Sequence, residues 1–429
     1  MKPPFLIVSD TQGNIFEIRD YYMAGMSLDR PLLPEAHELT PLPFGSNLFR
    51  LAGRFAMGYS VGSGRCEVVR EYRGAAVEAV GAFMAPAYLQ LLRCAFHTPP
   101  DACRLPLYSY TAAGWSEAGF AVAGVRIDPD CRQDLDRVDL TAIERNAERT
   151  LRRFRGNRLV KHLVENCVHR YGCPAARNFV MGRWECPLPS SRACNSRCIA
   201  CISDQRPGTG VNASQARIEF TPTVDEIVEV AVGHLEKAQR AVVSFGQGCE
   251  GEPLLVGGVI EQAIRETRKR CDQGIINLNT NGSLPQVIEK LCVAGLDSVR
   301  VSVNSAQEHY YDRYYRPQGY TFTDVVESLR IVRKFGKWSS MNYLMFPGFT
   351  DHPQEMAALF ELLDKVKLDM IQTRNLNMDP EWYVSELGLS DPQGVSIGMS
   401  HWLRQIGSKF PQLVLGYFNP PREVVRQHR

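Results

Sequence analysis

The chain has no uninterrupted apolar stretch long enough to span a bilayer, although 44% of its 429 residues are hydrophobic. The N-terminus, Met1-Lys2-Pro3-Pro4-Phe5-Leu6-Ile7-Val8-Ser9-Asp10, turns polar too soon for a secretory signal peptide. Excess charge is missing too: 49 basic against 47 acidic residues leave a net +2, with no global pull toward nucleic acid or membrane. No second cysteine pair at zinc-finger spacing follows Cys201; the next are Cys249, Cys271 and Cys292, and none lies beyond. Thirteen cysteines without an export signal point to a reducing cytoplasm, and to metal ligands or buried free thiols in place of disulfides.

What the chain does have is Cys194-Asn195-Ser196-Arg197-Cys198-Ile199-Ala200-Cys201, three thiolates at CxxxCxxC spacing on one short segment. A cubane iron–sulfur cluster takes four thiolates, so a three-cysteine loop leaves one iron open to another ligand. Taken alone, the same cysteines also suit part of a zinc site.

Four later segments bear on that choice. Cys249-Glu250-Gly251-Glu252-Pro253 follows the apolar run 241–246. Then come Asn279-Thr280-Asn281-Gly282 after an apolar run, Ser298-Val299-Arg300-Val301-Ser302-Val303-Asn304, and Met341-Asn342-Tyr343-Leu344-Met345-Phe346-Pro347-Gly348. Together with the cysteine loop they resemble the radical S-adenosylmethionine (SAM) superfamily, with a core similar to its molybdenum-cofactor GTP cyclase branch. The resemblance runs from about Arg183 to Asn375.

It implies that Cys194, Cys198 and Cys201 hold a [4Fe–4S] cluster whose open iron chelates SAM. By the same resemblance Gly251, Glu252 and Pro253 form the segment that orients the methionine amino group. Thr280 and Ser302 line the ribose or carboxylate region, and Asn304 and Asn342 are further cofactor candidates. It also implies a reducing partner such as flavodoxin or ferredoxin. The chain departs from the family pattern where Glu250 replaces the first glycine of the GGEP segment, and where Ala200 replaces the aromatic residue near the adenine. A polar insert, 203–216, is expected to form a loop able to close over the site. With no cysteine after Cys292, the C-terminal auxiliary-cluster domain of many peptide-modifying relatives is not expected, and no cobalamin-binding pattern is recognised in these residues.

Periodicity agrees with the resemblance. Runs 241–246, 275–279, 298–304, 339–345 and 369–374 read as strands buried on both faces, with a first strand near 180–188. Amphipathic helices separate them: a capping box at Thr223–Glu226 opens one, Ser283 with Pro285 another, Asp351 with Pro353 a third. Right-handed crossovers curl six βα units into a partial (β/α)6 barrel with ligands at the carboxyl ends of its strands. The expected fold class is α/β, this barrel preceded by a β-rich α+β N-terminal domain. The expected divisions are 1–140 for that domain, 141–180 for a basic helical connector, 181–380 for the barrel and 381–429 for a C-terminal extension.

In the N-terminal domain, residues 6–16 and 57–69 read as hairpins, 107–112 and 120–127 as strands, and Ala85 to His97 as a helix. The connector's arginines, among them Arg145, Arg149, Arg152 and Arg153, read as the solvated side of a helix that buries Ile143, Ala147, Leu151 and Phe154. Cys167, Cys173, Cys186 and Cys249 are either ligands of a second cluster or inert buried thiols. Arg374, Asn375 and Asn377 stand where substrate contacts or structural hydrogen bonds belong. The resulting expectation is a cytoplasmic radical SAM enzyme of unidentified substrate, a peptide or protein ahead of a small molecule, with RNA third. Its non-enzymatic rival is a structural zinc protein or an electron carrier.

Overall fold

The computed structural model describes residues 2–137, 139–389 and 395–428. Residues 1, 138, 390–394 and 429, which fall within the expected N-terminal domain and C-terminal extension, lie outside the described residues.

Seven strands form one parallel sheet in chain order: β1 (Glu185–Pro187), β2 (Val242–Phe245), β3 (Ile275–Thr280), β4 (Ser298–Val303), β5 (Trp338–Met345), β6 (Met370–Asn375) and β7 (Val414–Gly416). Every residue of β2 and β3 is buried, as a sheet covered on both faces requires. Helices return the chain from β2 to β3 (Gly257–Arg270), from β3 to β4 (Pro285–Ala294) and from β5 to β6 (Pro353–Val366). All six anticipated strands are present. The seventh, β7, was not anticipated, because three residues carry no readable period.

The first crossover helix, Val224–Leu235, opens on the expected capping box: the Thr223 hydroxyl accepts the Glu226 N–H at 3.2 Å, and the Glu226 carboxylate accepts the Thr223 N–H at 2.8 Å. Pro285 and Pro353 each begin a helix, although the second is capped by His352, not Asp351. Asp351 instead accepts the N–H groups of Gly348 and Gly398.

The N-terminal region is a 14-stranded antiparallel sheet. Phe5–Ser9 pairs with Ile15–Met23, and Phe55–Ser60 with Cys66–Val69, as two hairpins. Residues 85–97 are not a helix: they form short strands at Tyr88–Gln90, Arg93–Cys94 and Phe96–His97, each with a different partner strand. Residues 89–96 are all buried, so the segment has no solvent face for an amphipathic helix, and strand pairing overrides its Leu- and Ala-rich propensity. The strands expected at 107–112 and 120–127 occur at Thr111–Ser116 and Gly119–Arg126.

The connecting helices lie at Ala142–Arg153, Arg158–His162 and Pro174–Val180, with a π-helix at Leu163–Arg170 between the last two. Arg145, Arg149, Arg152 and Arg153 are exposed, whereas Ile143, Ala147 and Phe154 are buried. No helix among the described residues is long and apolar enough to cross a membrane.

The antiparallel sheet meets the barrel at the carboxyl ends of β5 and β6. Leu28 N–H donates to the Pro347 carbonyl at 2.8 Å. The Asn375 side chain accepts from Gln90 N–H at 2.8 Å and donates to the Tyr88 carbonyl at 3.0 Å. Arg54 and Asp379, 2% and 3% exposed at their side chains, pair at 3.0 Å. Asp379 also accepts Leu105 N–H and the first N–H groups of the helix Pro380–Leu387.

His234, on the first crossover helix, is buried and donates from Nε2 to the Trp184 carbonyl at 2.8 Å just before β1. Burial lowers its pKa from 6.5 to about 4, so between those values only the unfolded chain takes up the proton. Stability is therefore expected to fall with pH below 6.5, this residue contributing about 1.4 kcal/mol per unit. Denaturant unfolding of wild type and His234→Gln at pH 7 and pH 5 checks this, the variant losing about 2 kcal/mol less across the interval.

Candidate active site

The loop after β1 carries the three cysteines to the carboxyl end of the sheet. Cys194, Cys198 and Cys201 line one cavity of about 350 Å³ together with Gly251, Glu252, Pro253, Thr280, Ser302 and Asn342. Two backbone hydrogen bonds hold the cysteine loop to the segment after β2: Gly251 N–H to the Ser191 carbonyl at 2.6 Å and Glu252 N–H to the Ala193 carbonyl at 2.8 Å. A Cβ on residue 251 would stand 2.0 Å from the Ala193 carbonyl oxygen, so only glycine fits. Gly246, with φ at +77°, similarly lets the end of β2 pass the Asn279 carbonyl, which a Cβ would meet at 1.7 Å.

The other flank of the loop is fixed by the helix Glu308–Tyr315, whose Tyr314 and Tyr315 carbonyls accept Ile199 N–H at 3.0 Å and Arg197 N–H at 2.9 Å. The same two tyrosines line the cavity, as does Ala200. The 203–216 insert folds back on the loop: Gln205 Nε2 donates to the Ile199 and Cys201 carbonyls at 3.1 and 2.7 Å. Just after it, Arg217 reaches the Cys201 sulfur at 3.5 Å.

Glu250, where the family pattern has glycine, is a buried clamp. One oxygen accepts Ser190 N–H, Ser190 Oγ–H and Ser191 N–H at 2.7, 3.0 and 3.0 Å, and the other accepts Gln247 N–H at 2.6 Å. Burial raises its pKa above the ordinary range even so. Glu252 accepts from Leu254 N–H, Asn281 N–H and the Thr280 hydroxyl. Burial pushes its pKa up to about 7. Three donors occupy three of a carboxylate's roughly four acceptor positions, which leaves one for a ligand.

Ser302 on β4 is in register with Asn342 on β5, and the buried Asn342 Oδ1 has no hydrogen-bond partner among the described residues. Two positions before Ser302 on the same strand face, Arg300 also lines the cavity. Its guanidinium shares the Gln372 side-chain oxygen with Arg374, at 2.7 and 3.1 Å, and its Nε has no partner. Burial, then the Arg374 charge, lowers the Arg300 pKa to about 9. Asn377 lines the cavity as well. Asn304 is not brought to the cavity lining; its amide donates to the Tyr310 carbonyl at 3.2 Å and the Tyr383 hydroxyl at 3.3 Å. Arg374 and Asn375 are engaged structurally, the first with the Tyr417 carbonyl and ring, the second with the N-terminal sheet. Arg300 was not anticipated, although its strand period with Ser302 was a signal for it; Glu250 was noted only as a departure from the family pattern, and nothing local marked Arg217 or the tyrosine pair.

Burial raises the Cys194 thiol to about 11 and Cys198 well above its ordinary value, so a cationic metal centre is needed to hold them as thiolates. Three cysteines with no fourth among the residues that line the cavity fit a polynuclear cluster with one open iron.

Glu250→Gln sets an amide N–H against backbone donors. The substitution is expected to remove a charge-assisted hydrogen bond worth about 1.5–3 kcal/mol and to loosen the loop. Denaturant unfolding measures the first effect; iron and sulfide retained after reconstitution measure the second.

The family model of the Radical SAM superfamily matches residues 188–360. No curated protein matches the chain. Among solved structures, anSMEcpe with bound AdoMet is 18% identical over 44% of this chain and 51% of its own, about half its length, at a TM-score of 0.35. Methylornithine synthase (PylB) is 12% identical over 66% and 72%, at a TM-score of 0.38. Streptococcus suis SuiB bound to precursor peptide SuiA is 12% identical over 57% and 53%, at a TM-score of 0.37. The matched region spans the cysteine loop, the GEP segment and β2 to β5, so residues 188–360 carry a Radical SAM domain.

Proposed function

We propose that this chain is an enzyme that cleaves SAM reductively at a [4Fe–4S] cluster held by Cys194, Cys198 and Cys201, and that its substrate is a peptide or protein. The observation that carries the reading is the pinning of the CxxxCxxC loop to Gly251 and Glu252, which turns three sulfurs and a carboxylate into one cavity. The bound cluster and SAM supply a 5′-deoxyadenosyl radical that abstracts hydrogen from the substrate.

The chain's own residues bind and orient. Glu252 offers its remaining acceptor position to the methionine amino group, and Thr280 holds that carboxylate in place. Ser302 and the unpartnered Asn342 Oδ1 meet polar groups of the cofactor. Gly251 and Pro253 set the backbone path, and Asn304 supports the helix Glu308–Tyr315 through the Tyr310 carbonyl. The N-terminal sheet favours a peptide or protein substrate, because it is built into the rim at the ends of β5 and β6. An electron donor such as flavodoxin or ferredoxin and a reducing cytoplasm complete the proposal.

Anaerobically reconstituted protein with dithionite is expected to form 5′-deoxyadenosine and methionine, and Cys198→Ala to lose both products and most of the iron. Glu252→Ala is expected to keep its cluster and need roughly ten- to a hundredfold more SAM. Wild type that carries the cluster yet forms neither product would return the chain to the electron-carrier reading.

A further inference from the structure

A second set of metal-type donors lies outside the cavity. His162, Cys167 and Cys249 each offer one ligand atom, all within 4.8 Å of one another, and the two cysteine sulfurs are 3.6 Å apart. Two thiolates on tetrahedral zinc, each at about 2.3 Å, stand about 3.8 Å apart. The sulfur pair thus already has the spacing a single ion imposes. Cys167 and Cys249 are buried, and His162 Nε2 is a buried nitrogen without a hydrogen-bond partner.

The backbone explains how the donors converge. At about 100° per residue, positions five apart on an α-helix face about 140° away from each other. His162 is the last residue of the helix Arg158–His162, and Cys167 lies within the π-helix Leu163–Arg170 that continues it. In a π-helix hydrogen bonds run from residue i to i+5, so position i+5 comes one turn above position i. The rare widening therefore stacks Cys167 over His162 and turns both toward Cys249. Cys173 and Cys186 are not part of this group. One imidazole and two thiolates suit a mononuclear ion better than an iron–sulfur cluster.

We propose that His162, Cys167 and Cys249 bind one zinc ion, with water or an exogenous anion in the fourth position. The ion fastens the connector to the loop that carries the Glu250 clamp, since Cys249 immediately precedes Glu250.

The test separates this site from the cluster. Full-length protein lacking the cluster ligands (Cys194→Ala, Cys198→Ala, Cys201→Ala) is expected to retain a single zinc ion per chain by elemental analysis. Adding Cys249→Ser is expected to abolish retention, and adding His162→Gln to weaken it in competition with a chromophoric chelator. Should the Cys249 variant fail to fold, cobalt exchanged into the cluster-free protein is expected to show thiolate charge-transfer and tetrahedral d–d bands. Cluster-free protein with no metal, with a Cys167–Cys249 disulfide, or with iron and sulfide in its place overturns the proposal. Wild type that holds zinc but forms no cluster overturns the proposed activity and leaves the zinc site standing.

Discussion

Two short backbone hydrogen bonds, from Gly251 and Glu252 to the carbonyls of Ser191 and Ala193, are the constraint on which the site depends. A cysteine-bearing loop has no regular structure to hold its sulfurs, so its shape must be borrowed from neighbours. Here it is borrowed from β2 on one side and from the Tyr314 and Tyr315 carbonyls on the other. Glu250 strengthens the first of these by collecting four donors on one buried carboxylate. A buried carboxylate is tolerable only when so fully bonded. The family's glycine at this position gives way to a side chain that does mechanical service.

The same economy governs the cavity floor. Arg300 and Arg374 share one amide oxygen and have no carboxylate partner among the described residues. Glu252, by contrast, is nearly saturated with donors from its own chain. Of the two arginines, Arg300 lines the cavity and keeps an unpartnered buried Nε there, while the Glu252 carboxylate is held in a fixed geometry.

Much of this was legible in the sequence, for identifiable reasons. The parallel strands announced themselves because burial on both faces leaves runs such as 275–280 without polar alternation. The meeting of the cysteine loop and the Glu252 segment at one cavity was legible because each follows a strand of the same parallel sheet. Residues 85–97 misled because their composition suits a helix, while the three short strands they form are specified by partners distant in the chain. Asn304 follows Ser302 at strand period, yet it lies just past the end of β4 and turns to Tyr310 and Tyr383. The π-helix had no readable signature, because one extra residue per turn changes no local propensity and shows only in what it aligns.

The joint between the antiparallel sheet and the barrel bears on how this protein can change over evolutionary time. Tyr88 and Gln90 meet Asn375, Arg54 meets Asp379, and Asp128 accepts the N–H groups of Tyr417 and Phe418. Arg54 and Asp379 are nearly free of solvent, so replacing one alone strands a buried charge at a cost of about 3–5 kcal/mol. Drift at such positions must be concerted, and the rim of the barrel and the sheet above it are inherited as a unit. A barrel excised from this chain, or an N-terminal region exchanged for that of another protein, inherits half of each pair.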